Sequence, residues 1–540
     1  MKLLCSAALL VASFFLNDSP VLAQERSTLV LEGDIVPGVG AVTNVLKLET
    51  NDAGDWLVLA GTDHSDPEQD VVVLRNGAVY LREGQTFSSP AGATIVTFDS
   101  MPLNSNGNTS HNFNFNELTQ PLSFGVYWNS QPLLGTGDLV GAPGFSPGTP
   151  YVAFFETLIN ASETILISAS VDDPAIHSAA DGVLILAKTD GAGNLISETV
   201  VAKTGDLAGS SGIPISYFGA PVSSFGFNDA GEVLYVAQLL SCSGGQHAGI
   251  NLDGALIAEE GAPSPVAGRN WEFYGTPEVG LNNHGDWVIS GCLSGDASTN
   301  DIIVSNSGVV VQKGDTLSGM NGMPFTDLGI GPVDIADNGN ILCYGAWGDP
   351  ATGLEKGLWI NQTLIVQAGV TMIDGQVLQT IYGYEGGYQL DPSGRYVTFK
   401  GNLASGPKGV FRVDLTGPGS SYCFGDGSTV ICPCGNNAAT GDGCKNWTGD
   451  GARLTSLGTA SVLGKNIAFH VSQVAANKPC LLFSGNSTNN AAFGDGILCV
   501  TGGIARHEVS VADGNGEASW GPGAIANANW SNGDTKNFQV

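Results

Sequence analysis

Apolar and polar positions alternate over short runs along most of this chain, and small or polar turn residues close each run. Runs such as WLVLA (residues 56–60), VLYVA (233–237) and WVIS (287–290) have strand length and composition. Beyond the first two dozen residues no long segment carries a helical apolar period, so the pattern predicts an all-β chain. Many of the apolar runs follow an Asn-x-x-Gly tetrapeptide: NDAG at 51–54, NSNG at 104–107, NDAG at 228–231 and NNHG at 282–285. Degraded copies read NASE at 160–163, ADNG at 336–339 and DPSG at 391–394. Six of these seven copies keep the glycine and five keep the first asparagine. An asparagine side chain can cap its own turn, and glycine accepts the left-handed backbone that closes it. The spacing, about 54 residues, is the size of one four-stranded propeller unit.

A second recurring element precedes each tetrapeptide. It is an apolar strand ending in glycine: LVLEGD (29–34), YLREGQ (80–85), LLGTGD (133–138), VAKTGD (201–206), IAEEGA (257–262), VQKGD (311–315) and IVQAGV (365–370). Between the two motifs stand hairpin signals such as Asn76-Gly77, Asp253-Gly254 and Ser307-Gly308. The unit assembles as an inner strand, the Asn-x-x-Gly turn, a second strand, a third, a hairpin and the glycine-ended outer strand. Seven copies of each motif predict a seven-bladed β-propeller over residues 27–415. The chain opens on a lone outer strand at 29–33, and the last unit has none of its own. That strand is therefore expected to complete the last blade and remove the open edge. The third unit is longer, and TDGAGN at 189–194 predicts an extended hairpin there.

The first residues read as a targeting signal, with Lys2 charged, residues 3–16 apolar and a small-residue cleavage pattern ending at Ala23. Residues 1–23 are assigned to this signal peptide. The apolar run is too short to span a membrane, and no later stretch reaches that length. A soluble chain, exported to the cell surface or exterior, is expected. Charge supports an exterior setting: 51 acidic residues against 20 basic ones leave a net −31. From residue 421 onward 8 acids face 6 bases, so nearly all of the excess lies in the repeat region. Such a surface repels phosphate backbones and argues against nucleic acid as a partner. Glycine, at 76 of 540 residues, is about twice the usual share and marks frequent tight turns.

The repeat pattern stops at a linker, TGPGSS (416–421), and residues 422–540 form a cysteine-rich β domain. Cys423, Cys432, Cys434, Cys444, Cys480 and Cys499 imply a disulfide framework in an exported chain. Cys432 and Cys434 are too close in sequence to pair with each other. A zinc site is the competing reading, opposed by sparse histidine and the absence of paired Cys-x-x-Cys. In the repeat region Cys242 and Cys292 fall near the second strands of consecutive units and are candidates for a bond between them, leaving Cys343 buried and free.

The copies NDAGDWLVLAG (51–61), NDAGEVLYVAQL (228–239) and NNHGDWVISGC (282–292), with the glycine-ended strands, resemble the tandem NxxGxxxAF repeat. That repeat belongs to exported bacterial proteins of the choice-of-anchor kind, which carry varied surface-anchoring ends. The resemblance runs from about residue 27 to 415 and implies a propeller scaffold, with no catalytic motif to transfer. The final Ala-Phe of the family motif is mostly absent here. The tail is similar to a small C-terminal module of large secreted bacterial proteins, through YCFGDG (422–427), CPCGN (432–436) and FGDGILC (493–499). That similarity implies a small disulfide-rich, β-sandwich-like domain; such modules continue with another aromatic strand and a cysteine, so ending at Val540 reads either as a shorter variant or as a clipped sequence.

Catalytic chemistry is not written in any motif. His64, His111, His177, His247, His284, His470 and His507 sit in no zinc helix and beside no nucleophile elbow. Asp52, Asp229 and Asn283 occupy the same turn position in different copies, which reads as turn structure. Asp513, Asn515 and Glu517 place oxygen side chains at alternate positions, as at the start of a calcium loop, but DGNG is equally a hairpin turn. No other cofactor is implied. The function expected is a non-enzymatic binding or structural role towards a glycan, a protein or a small ligand. The alternative is a carbohydrate-active hydrolase or lyase on the same scaffold, which would need two carboxylates about 5–10 Å apart in a cleft.

Overall fold

The computed structural model describes residues 25–87, 92–116, 123–175, 181–218, 224–240, 247–273, 277–317, 319–329, 331–349, 353–384, 386–415, 422–428, 430–439, 441–457, 467–514, 516–521, 530 and 534–540. The signal segment, the 416–421 linker, Cys242, His177 and Asn515 lie outside them. Among the described residues the regular structure is strand, with short 3-10 turns and no α-helix.

Residues 25–414 form seven antiparallel sheets of four to six strands, in chain order. The fifth shows the plan: Glu278–Leu281, Trp287–Cys292, Asp301–Ser305 and Gly308–Gln312 pair each with the next. Its inner strand and second strand are joined by the 282–285 turn. In the seventh sheet Glu25–Leu31 pairs antiparallel with Lys408–Asp414, so both ends of this region share one sheet.

Seven apolar clusters lie one between each neighbouring pair of sheets. One joins the first sheet (Leu57, Leu59, Val73) to the second (Ile95, Phe113, Tyr127). Others follow between second and third, third and fourth, fourth and fifth, fifth and sixth, and sixth and seventh. The last packs Val30 and Val410 of the seventh sheet on Val42, Val58 and Val72 of the first, so the series closes on itself. Each fully buried Leu, Ile or Val contributes about 1.5–3 kcal/mol, and these layers supply most of the stability.

The Asn-x-x-Gly turns have a second use that their local chemistry does not reveal. In each asparagine copy Oδ1 accepts the N–H four residues on, from Asp55, Asn108, Thr164, Glu232 and Asp286. Nδ2 crosses to the next sheet: Asn51 to Asn104 O (2.9 Å), Asn104 to Asn160 O (2.9 Å), Asn160 to Asn228 O (3.0 Å), Asn228 to Asn282 O (3.0 Å) and Asn282 to Ala336 O (3.1 Å). The asparagines are buried, so both halves of the amide are satisfied where a lost partner would be costly. The next turn position adds a parallel set: Ala161 N donates to Asp229, Asp229 N to Asn283 and Asn283 N to Asp337.

The clasps stop at the sixth sheet. Ala336 has no amide, and Asp391 keeps its carboxylate within its own turn, on Ser393 and Tyr396. Other groups bridge there. Asp337 N donates to Pro392 O at 2.8 Å between the sixth and seventh sheets. Between the seventh and first, Lys400 Nζ donates to Leu46 O (2.7 Å) and Arg412 to Gly54 O (3.0 Å).

The glycine-ended strands are equally regular. Gly33, Gly84, Gly137, Gly205, Gly261, Gly314 and Gly369 all have φ between +74° and +96°. Their N–H groups donate into the next inner strand or its start, as Gly205 does to Ile215 O at 2.9 Å. The acid that follows closes the turn: Asp34, Asp138, Asp206 and Asp315 each accept the N–H three residues back. The exchange of glycine for glutamate in the third tetrapeptide has its own compensation. Glu163 takes φ +59°, and its carboxylate accepts Asn104, Asn106, Asn108 and the Trp128 indole N–H at 2.7–3.2 Å.

From residue 422 the chain forms a separate core of Phe469, Val471, Leu482, Ala518 and Trp520 between short sheets. Disulfides join Cys423 to Cys499 and Cys432 to Cys444. Of the remaining cysteine candidates, Cys434 is exposed and Cys480 buried, and neither is in a disulfide: Cys480 Sγ is turned to Lys478 O, just before its own strand. Cys343 is a buried thiol, and with Cys242 outside the described residues the proposed bond to Cys292 has no visible second half.

Candidate functional site

Two places on the seven sheets gather chemistry. The first is the central axis, where the inner strands meet. Two residues before each tetrapeptide stand Glu49, Pro102, Leu158, Gly226, Gly280, Asp334 and Gln389. The polar members fall at the two interfaces that lack the asparagine clasp. Gln389 Oε1 accepts Thr50 N and its Nε2 donates to Glu49 Oε2, both at 2.8 Å. Asp334 Oδ2 accepts Leu390 N at 2.9 Å. Both carboxylates are enclosed by protein yet keep a thin strip of solvent contact, as groups on a narrow axis do.

Burial pushes Glu49 up to about 7; the Gln389 amide and Lys47 oppose this, and Asp334 adds to it. Burial likewise raises Asp334 to about 6, against the Leu390 N–H. The fully buried Tyr388 phenol is raised well above its ordinary range by burial, with Cys343, Asp334 and Glu278 adding to it. Gly331 leaves the space this phenol occupies, since a Cβ there would lie 2.7 Å from its oxygen. A comparison of the repeat copies at this column, in which acids or an amide replace small and apolar residues, is the signal that marks Glu49, Asp334 and Gln389 in the sequence.

The second place is an open cleft of about 620 Å³ between the third and fourth sheets. Four antiparallel strands put the outer strand's end opposite the Asn-x-x-Gly turns, so the cleft opens on the other face. Phe145, Ser146, Asp173, Lys203, Asp206 and Leu240 line it. Lys203 Nζ donates to Gly144 O at 2.5 Å and lies 5.1 Å from the Phe145 ring centroid. Asp173 accepts Ser146 N and Ala175 N at 3.0 and 2.9 Å. Hydrogen bonds from Ser146 and the Ala175 N–H hold its carboxyl below the usual range. Leu240 is 55% exposed at the rim.

The residues singled out from sequence lie elsewhere. Asp229 and Asn283 cap neighbouring turns, and Asp52 occupies the same turn position in the first copy. His111 is buried, its Nε2 2.7 Å from Thr109 Oγ1, and burial lowers it to about 3, so it is neutral at physiological pH. His247 pairs with Glu259 at 2.9 Å, and His284 N donates to Asn282 within its turn. Asp513 Oδ1 accepts Glu517 N at 3.0 Å, closing a hairpin turn, while Glu517 reaches His470 at 3.7 Å. Among the described residues no three histidine, cysteine or acidic side chains converge as metal ligands, and no helix is long and apolar enough to cross a membrane.

These features define an all-β protein of repeated small antiparallel sheets packed in series, with both ends of the repeat region sharing one sheet. A model of a family of unknown function, DUF7453, matches residues 15–381, and the chain belongs to that family. No curated protein matches it. Among solved structures it is remotely similar to a Dyadobacter fermentans protein of unknown function, at 14% identity and TM-score 0.28, over 58% of this chain and 94% of that one. A Trypanosoma rangeli sialidase in complex with the inhibitor DANA matches at 13% and 0.28, over 80% and 82%. The polysaccharide lyase Uly1 matches at 10% and 0.35, over 73% and 100%.

Proposed function

We propose that this chain is an exported, surface or extracellular seven-bladed β-propeller with a disulfide-rich, β-sandwich-like tail, and that it binds a ligand without transforming it. The observation that carries this reading is where the polar groups are spent. Glu49 and Asp334 hold one sheet to the next, whereas the open cleft is lined by Lys203 and an exposed Leu240, with Asp173 buried beneath and fixing the Ser146 loop. A glycan, a peptide or a small polar molecule fits a concavity of that size. Screening the mature chain on glycan and metabolite panels, with and without calcium, is expected to return a ligand whose affinity falls at least tenfold in Lys203→Ala/Leu240→Arg. Equal affinity in that variant would remove the cleft from the proposal.

The raised carboxyls of Glu49 and Asp334 support a second reading, a carbohydrate-active hydrolase or lyase. Its signature is polysaccharide cleavage that disappears in Glu49→Gln while the variant stays folded. Cleavage of that kind would replace the binding role with an enzymatic one.

A further inference from the structure

The inner strand of the seventh sheet is interrupted. Gln376–Ile381 and Tyr388–Leu390 both pair with Tyr396–Leu403, and the sequence between them is YGYEGG (382–387). The inner strands of the fourth and sixth sheets are split by segments of the same length, but only this one carries two tyrosines: Tyr382 and Tyr384, with ring centroids 5.3 Å apart and planes tilted by 34°. Tyr384 is 45% exposed. An exposed tyrosine is ordinary on a protein surface and by itself implies nothing. These two differ because neighbouring side chains, the buried Lys400 and the half-buried Asn402, hold them in place.

Lys400 is buried, and its Nζ, tied to Leu46 O, lies 5.4 Å from the Tyr384 ring centroid. One face of the ring is thereby backed by a fixed ammonium, and the solvent-exposed surface is left to a visitor. Tyr382 Oη donates to Asn402 Oδ1 at 2.6 Å, and Thr380 Oγ1 donates to the same oxygen at 3.0 Å. The Asn402 carbonyl is thus taken, and among the described residues its Nδ2 donors and the Tyr384 hydroxyl have no hydrogen-bond partner. Gln379 and Thr380, both exposed, continue the polar edge.

We propose that Tyr382, Tyr384 and Asn402 form a stacking subsite for a neutral pyranose unit of an oligosaccharide. A pyranose offers an apolar C–H face to an aromatic ring and hydroxyls around its edge to an amide and a phenol. The charge of the chain, −31 overall, disfavours acidic sugars and leaves neutral ones as the class that fits. Rings already held in place lose little side-chain entropy on binding. The subsite lies on a different sheet from the third-to-fourth-sheet cleft and does not depend on it.

The test uses the mature chain with cellopentaose, mannopentaose and galactopentaose, followed by saturation-transfer NMR and calorimetry. At least one is expected to bind at millimolar concentration or tighter, and Tyr384→Ala is expected to weaken it about tenfold. Tyr384→Phe, which keeps the ring, should stay within about threefold, and Asn402→Ala should fall between. An unchanged unfolding midpoint in each variant shows that the scaffold is intact. Two results overturn the proposal: no binding of any of the three up to about ten millimolar, or binding that survives Tyr384→Ala. Binding that survives Tyr384→Ala but falls in Lys203→Ala places the sugar in the cleft, which ends this proposal and leaves the cleft reading standing.

Discussion

Five interfaces between sheets carry an asparagine clasp and two do not, and the pairs are held by different chemistry. From the first sheet to the sixth, a neutral amide links each turn to the next through backbone atoms. From the sixth through the seventh and back to the first, the work falls to Asp334, Gln389, Glu49, Lys400 and Arg412. The clasp itself is a neutral amide on a backbone carbonyl, and at Asn104, Asn228 and Asn282 the same Nδ2 also meets a carboxylate, of Glu163, Glu232 and Asp286. The closing region contains titratable carboxyls and long cationic side chains, so the place where the two ends of the chain meet is the part of the ring that responds to its surroundings. An apolar layer lies in every interface, including the closing one, so the difference concerns register and response more than bulk stability.

The most severe way to break this comparison is to remove the strand both ends share. Deleting residues 24–34 strips Val30 from the closing core and leaves Lys408–Asp414 as an open edge. A loss above about 5 kcal/mol is expected, as a single cooperative transition shifted to lower temperature in calorimetry. A variant that melts like the intact mature chain would show that the seventh sheet does not need its N-terminal strand.

Asn228→Ala attacks an interior clasp instead. It leaves Asn282 O with only the Gly285 N–H, strands the Glu232 N–H and takes a donor from the Glu232 carboxylate, and about 3 kcal/mol should be lost, read from the denaturant midpoint at constant slope.

Glu49→Gln tests the other side. Because the folded carboxyl is raised to about 7, the folded state holds its proton more tightly than the unfolded chain does. Its contribution is therefore complete below the unfolded value and fades as pH rises through about 7. Glutamine keeps an oxygen to accept the Gln389 amide and carries no charge. Chemical denaturation should find the variant about 2 kcal/mol more stable than the parent at pH 8 and equal to it at pH 4. A parallel pH profile for the two proteins would sink the assignment. Glu163 provides the reverse sign. Burial raises it, but the donors from Asn106, Trp128, Asn108 and Asn104 prevail and lower it, so its share is lost as pH falls through the folded value.

The smallest effect expected is a gain. Ala336→Asn supplies the missing amide at the sixth turn and should add about 1 kcal/mol if the neighbouring carbonyl is within reach. An equal loss would mean that the buried site at Ala336 has no room for the side chain.

The repeat was legible because its marks are local. An asparagine that caps the N–H four residues on, and a glycine at positive φ before a capping acid, are fixed by nearby backbone and leave a sequence trace. The partner of each clasp is a main-chain carbonyl some fifty or more residues away, and a carbonyl has no residue type to read. The axial acids were hidden among 51 acidic residues and emerge only when copies are compared at one column. The break that carries Tyr382 and Tyr384 was invisible for another reason. Breaks of equal length split the inner strands of the fourth and sixth sheets, so the motif spacing is the same and does not single it out.

Because four of the five clasps read only the backbone of the next unit, Asn104 alone also touching a side chain there, those units are interchangeable as far as the clasp is concerned. A unit that keeps one asparagine can change nearly everything else without losing its place in the ring. Copies of such a chain are free to diverge, and a new unit can be duplicated into the series with its connections already written.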